Sequence, residues 1–384
     1  MSPLALEIVS DEQGFRSLES EWCDLLGRVR RRGYFQTFEW VWRSWQHTGR
    51  VRGHTLFIVV GRRAGRVVLI WPLVRFRKLL LQTAEWIGSE HACRRDVFVE
   101  DAPEAGEWVE AAWSHVTKTV DFMWLNRMSD DAVLVPLIHR VKSIGTHVEE
   151  APYVDWADWP DWEAYWRKRT KNVRKSLARR RRRFGEQGKV EFGFLTSLEE
   201  IRETLEWMRA HKAAWMKSKG LRMQDLGGDT AVTVREFYQS FVADTASASK
   251  HLRLATLTLD GNVVAAQLGF LFEGTFAAAM SAYDPAWENY SPSTLLLADL
   301  LRWSLENNCA IFDLMPYGES YKYDWAPKEA KLTTYLIPCS RRGRVLVAWR
   351  CSRLGATARR VVHLRPADIP RVIRKRFAGR SPAP

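Results

Sequence analysis

Hydrophobic positions recur along the chain with two periods, and the switches between them outline its elements. Residues 4–10 read as a strand and 11–31 as a helix. Thr37 suits the N-cap of a second helix, with Phe38, Trp42 and Trp45 spaced along one face. Two strand-like apolar runs, 54–61 and 67–74, are joined by the turn 62–66. A helix over 104–119, a strand over 122–125 and a helix over 130–143 complete an α/β unit that ends near Val148.

A second series begins at 155–166, where Pro160 fits a first helical position and Trp162 and Trp166 lie one turn apart. The pattern predicts one long basic helix from there to Gly185. A strand over 191–195 follows. Ser197 and Glu200 then form a capping signature for a helix reaching about Lys219, with another over 230–247. Residues 252–259 and 263–271 flank Asp260–Gly261–Asn262 as a hairpin, and 275–282 continues the sheet. A helix over 291–306 and strands over 311–315 and 333–338 end the series. The predicted class is α/β of the α+β kind: mixed, largely antiparallel sheets flanked by helices, in domains 1–150 and 151–340 with a tail over 341–384.

Composition narrows this picture little: 46% hydrophobic and 27% charged residues in 384 fit a soluble chain with two cores. Early acids argue against a signal peptide, and the apolar stretch 263–283 is broken by Glu273–Gly274, so no membrane span is expected. Five scattered cysteines offer no metal-binding cluster and point to a reducing compartment, hence to the cytoplasm.

Charge changes the picture more, because it is local. Residues 167–189 hold twelve Lys/Arg against one acid, and 341–384 thirteen against one, so with a net charge of +13 the rest of the chain is acidic. Each basic segment is a candidate polyanion site. Nineteen tryptophans add aromatic surface suited to half-wet interfaces.

The stretches D-G-N-V-V-A-A-Q-L-G-F (260–270), Y-D-P-A-W-E-N-Y-S-P-S-T-L-L-L (283–297), F-D-L-M (312–315) and G-E-S-Y-K-Y-D-W (318–325) resemble the GNAT superfamily, and within it the CelD/BcsL-like acetyltransferases and their FemAB relatives. F-Q-T-F-E-W (35–40), the basic run after Thr170 and M-K-S-K-G (216–220) add to the resemblance, which spans roughly 5–340. It implies two tandem GNAT-like units, the first degenerate, and an acyl-CoA co-substrate without metal.

Such a site needs two parting strands, a helix N-terminus for the pyrophosphate and a group to take a proton from the attacking amine. The resemblance places the cofactor on Gln267, Asn289, Tyr290, Ser291, Ser293 and Thr294. Here the sequence departs from the usual R/Q-x-x-G-x-G/A, since Asn289, Tyr290 and Ser291 stand where glycine is common. Asp313, His211, Tyr321 and Lys322 are the catalytic candidates, with the Tyr–Lys pair resembling a FemAB feature. Lys171, Arg174, Lys175 and Glu319 are candidate substrate or phosphate contacts; a solvated helix face is the alternative for the basic run. In the tail, Val347, Cys351, Leu354, Ala358 and Val361 recur at helical spacing among arginines, which suits an anionic membrane surface, nucleic acid, or packing on the domain.

The expected activity is acyl transfer from acyl-CoA to the amine of a small-molecule, lipid-like or lipid-linked acceptor, such as a sphingoid base in ceramide formation or an amino sugar. The protein would be cytoplasmic, or peripheral on the inner face of the cell membrane. The alternatives are a FemAB-type transferase using aminoacyl-tRNA and a non-catalytic GNAT-like protein of polysaccharide or envelope assembly.

Overall fold

The computed structural model describes residues 3–78, 80–89, 92–141, 145–218, 231–243, 249–316 and 319–351. Its first half contributes β1 (Ala5–Val9), helices α1 (Glu12–Ser17), α2 (Glu19–Leu26) and α3 (Phe38–Ser44), then β2 (Thr55–Arg63), β3 (Arg66–Lys78), β4 (Leu81–Trp86) and the short β5 (Phe98–Val99). Helix α4 (Ala105–Thr119), β6 (Phe122–Ser129), α5 (Val135–Ile138) and β7 (Gly145–Asp155) follow. The second half carries α6 (Trp162–Arg167), α7 (Lys171–Gly185), β8 (Val190–Phe194), α8 (Leu198–Ser218) and α9 (Ala231–Ser240). It continues with β9 (Leu252–Leu259), β10 (Asn262–Phe272), β11 (Thr275–Tyr283), α10 (Pro292–Glu306), β12 (Ile311–Asp313), β13 (Lys328–Pro338) and α11 (Arg341–Cys351).

All thirteen strands join one sheet in the order β1-β2-β3-β4-β6-β13-β7-β12-β11-β10-β9-β8, with β5 paired to β3 off this path. Each half is an antiparallel run ending in one parallel pair, β4 with β6 and β11 with β12. The last strand of each half then crosses over: β13 pairs with β6, and β7 pairs with β12. The expected boundary at 150 thus falls inside a central strand that the hydrophobic pattern does not mark. Glu149 on it is buried against Arg127 at 3.0 Å, so part of what holds this strand is charge pairing and ladder bonds from distant partners.

Three cores follow. One lies under α1–α3, α8 and α9 and crosses both halves, with Trp40 packed edge-on to Phe237 and Phe270. A second joins α4 and α5 to the first half. The third sets α6, α7 and α10 on the second half.

Several expected helices are shorter. The 11–31 helix starts under the Asp11 cap, breaks at Leu18 and ends at Leu26. The 155–185 helix divides because Asp161 and Thr170 each cap a new start through N–H groups three residues on. Within the described part of 130–143, residues 130–141, only Val135–Ile138 are helical. Val347 of the tail is buried in α11, which packs on β13; Leu354, Ala358 and Val361 lie outside the described residues.

Candidate functional site

The parallel pair β11–β12 is three residues long, ending at Ala277 opposite Asp313. Strand β11 runs six residues further, bonded to β10 on one side only. Just past the parting, Leu268 faces Met280 while Gly269 faces Ala278, so Ala279 bulges from the ladder. A bulge bends and twists its strand, and here it helps β11 diverge from β12. Gln267 braces it: its Nε2 donates to Met280 O at 3.0 Å and Leu268 O at 2.9 Å, so its two donors are used within the sheet. Gly269 is required because a Cβ there would stand 2.3 Å from the Phe276 ring.

The diverging strand leads through a 3-10 turn (285–290) to the head of α10. Ser291 takes the left-handed conformation (φ 53°, ψ 57°) that glycine favours, which accounts for the fit despite the missing glycine. Its carbonyl accepts from the Thr294 N–H at 2.9 Å, so Thr294 does not offer a free amide, contrary to expectation. Ser293 Oγ is buried with no partner. Tyr290 packs between Phe184 and Trp287, and Asn289 is exposed. The cation over Tyr290 is Arg183, 5.5 Å from the ring centre. Lys171, Arg174 and Lys175 lie at the other end of α7, roughly 15 Å along its axis, away from this helix head. Lys171 and Lys175 are exposed; Arg174 Nε is buried without a partner.

Around the parting itself, Asp313 is buried with both oxygens engaged. Oδ2 accepts from Arg94 Nε at 2.7 Å and Oδ1 from the Met315 N–H at 2.9 Å. With both oxygens taken, Asp313 fixes the end of β12, the orienting one of the two roles open to it. Lys322 turns inward, donating to Met315 O at 3.2 Å and Pro316 O at 3.1 Å and pairing with Glu319 at 2.7 Å. The pair fastens the loop after β12 and does not present a free ammonium to phosphate. Tyr321 is half exposed beside it.

Helix α8 lies over β11. Its Trp215 indole donates to Tyr283 at the open end of that strand, and Lys212 stands near Glu319 and Lys322, its pKa lowered by burial. One turn back, His211 Nδ1 sits 2.8 Å from Trp207 O, its ring tilted against the Trp207 indole. A carbonyl accepts only, so Nδ1 carries a proton, and the tautomer this selects has its lone pair on Nε2.

A cavity of about 490 Å³ opens where the halves meet, walled by Thr275, Ile311 and Asp313 on one side and by Tyr34, Cys93 and Arg94 on the other. Burial and Asp313 push the Cys93 thiol up to about 12, so it is no nucleophile. Arg94 went unnoticed in the sequence; the signal was two arginines and an aspartate, Arg94–Asp96, beside an apolar run. Between β4 and β6 the equivalent parting is closed by residues 87–89 and 92–97: Arg94 N–H bonds Arg127 O, Asn126 bonds Ser89 O, and buried Arg95 caps the Ile87 and Gly88 carbonyls.

Residues 171–323 match the family described as "Acetyltransferase (GNAT) domain". No curated protein matches the sequence. Among solved structures the chain is similar to FemX (10% identity over 86% of this chain and 98% of that one, TM-score 0.58). It is also similar to the C-terminal domain of a putative lysylphosphatidylglycerol synthetase from Agrobacterium fabrum (10% over 90% and 96%, TM-score 0.53). A conserved protein of unknown function from Bacteroides thetaiotaomicron is a third (10% over 86% and 100%, TM-score 0.54). Among the described residues no helix is long and apolar enough to cross a membrane and no side-chain group could hold a metal. Residues 171–323 are thus similar to a GNAT acetyltransferase domain and lie within a mixed α/β sheet architecture similar to that of FemX.

Proposed function

We propose that the protein is an acyl-CoA-dependent N-acyltransferase acting on the amine of a lipid-like or lipid-linked acceptor, a sphingoid base or a lipid-carried amino sugar. The observation that carries this reading is β11 leaving β12 after Ala277 and running, edge open, to Tyr283 and the head of α10. A pantetheine arm is a chain of amides, and amides pair with an open strand edge as an added strand does. The pyrophosphate would meet the α10 dipole and Arg183.

The acceptor amine would enter the cavity between the halves, whose largely apolar wall suits an alkyl chain. It attacks the thioester carbonyl, the tetrahedral adduct collapses, and coenzyme A leaves as thiol. His211 Nε2 is the candidate acceptor of the amine proton, and Tyr321 the candidate donor to the departing sulfur. Asp313, held by Arg94, fixes the end of β12 where the strands part.

Turnover of acyl-CoA with a panel of long-chain and sugar amines tests this. His211→Gln should lower kcat by about a hundredfold or more while acyl-CoA still binds. Unchanged turnover in that variant would remove His211 from the mechanism.

The second reading, aminoacyl transfer from tRNA, is favoured by Lys171, Lys175 and Arg179, all exposed on α7 and without ion pairs among the described residues. RNase-sensitive tRNA in the purified protein, with no response to acyl-CoA, would select it.

A further inference from the structure

A second cavity lies in the first half, away from the parting strands. It holds about 390 Å³ and is bounded by the turn 52–55, the end of β3 and Gln82. Its wall is cationic: Arg52, Arg75 and Arg77 line it together with His54, which stacks on Phe76 at 4.3 Å. Lys78 and Arg52 both act on Glu85 on β4, whose carboxyl burial pushes up to about 7. Glu85 is therefore only partly ionised near neutrality, and Asp121, which accepts from the Gln82 N–H at 3.0 Å, is the other acid beside the hollow, so the three arginines outnumber these two carboxyls.

Two apolar side chains flank this cavity in full view of solvent. Leu80 forms the β3–β4 hairpin tip and is 89% exposed; Val51, beside Arg52, is 62% exposed. Leu80 also sits at φ 64°, a conformation that a leucine adopts at a cost and that glycine or asparagine would adopt freely. A strained, exposed leucine beside a cationic hollow lacks any role in the fold's own packing. Cations around a headgroup-sized hollow, rimmed by protruding apolar tips, match the two layers of a charged bilayer surface.

We propose that this face docks the protein on an anionic lipid membrane, with Leu80 and Val51 entering the acyl boundary and a lipid phosphate held by Arg52, Arg75 and Arg77. The inference is independent of the acyl-transfer reading, because docking is measured without acyl-CoA or acceptor.

The test is co-sedimentation of the full chain with vesicles of phosphatidylcholine alone or mixed with phosphatidylglycerol. Binding should require the anionic lipid and weaken at least tenfold in Leu80→Asp, in Val51→Asp and in Arg77→Glu. All three positions are on the surface, so unfolding curves should match the parent. Lys171→Glu with Lys175→Glu, equal in charge change to two such substitutions but on α7, should leave most binding intact. Unchanged binding in the Leu80 and Arg77 variants would overturn the proposal and move attachment elsewhere, as to residues 341–384. Failure of the parent chain to bind anionic vesicles would overturn it too. So would a response to soluble glycerol phosphate without vesicle binding, which would make the hollow a site for a free anion.

Discussion

The Arg94–Asp313 pair joins the two halves at the mouth of the proposed site, and its burial makes removal of one partner costly. Arg94→Ala leaves a buried carboxylate with a single backbone partner and should cost about 3 kcal/mol in denaturant unfolding. Asp313→Asn should cost less, and the double variant less than the sum of the two by about 1 kcal/mol; strict additivity would show that the pair does not couple the halves. Glu85 carries a different signature. Burial raises its carboxyl from the ordinary 4.5 to about 7, so the fold binds its proton more tightly than the unfolded chain does. That contribution is fully present below about pH 4.5 and lost as pH rises through 7, a difference of roughly 3 kcal/mol. The melting temperature should therefore fall between about pH 5 and pH 8 less steeply in Glu85→Gln than in the parent; identical slopes would place the titration elsewhere.

Among the elements, those with local signals were legible and those built by distant pairing were not. The β9–β10 hairpin, β11, α8 and α10 follow from turn residues, capping boxes and apolar spacing carried within each segment. The central strand β7 does not, because Glu149, Glu150 and Pro152 interrupt its pattern and its partners lie about 180 residues away, on β13. Asp313, Lys322 and Gln267 were picked out by residue type, yet each is already bonded, and bonding depends on packing that spacing does not encode. The Ala279 bulge was equally hidden, although it helps part β11 from β12. Gly269 gives a way to disturb it: Gly269→Ala would drive a Cβ into Phe276 and toward Ala277 O. That variant should lose about 2 kcal/mol of stability and lose acyl transfer more completely than a surface substitution of equal cost. Full activity in a destabilised Gly269→Ala protein would separate the bulge from catalysis.

At the scale of the whole molecule, one sheet carries two partings of the same construction, and the chain has closed one of them. Residues 87–89 and 92–97 fill the first and send Arg94 across to the second, so the first half serves as a wall and a clamp for the other. The crossed strands β7 and β13 make that arrangement permanent, since neither half completes its sheet alone. The central claim is that the open parting receives an acyl-CoA, and thermal unfolding of the full chain with coenzyme A, acetyl-CoA and acyl-CoAs of rising chain length tests it most directly. Ligand at about 100 times its Kd should stabilise the fold by roughly 2.7 kcal/mol, and stabilisation should grow with chain length as the alkyl group fills the cavity between the halves. A flat response to every thioester would contradict the account and turn attention to aminoacyl-tRNA.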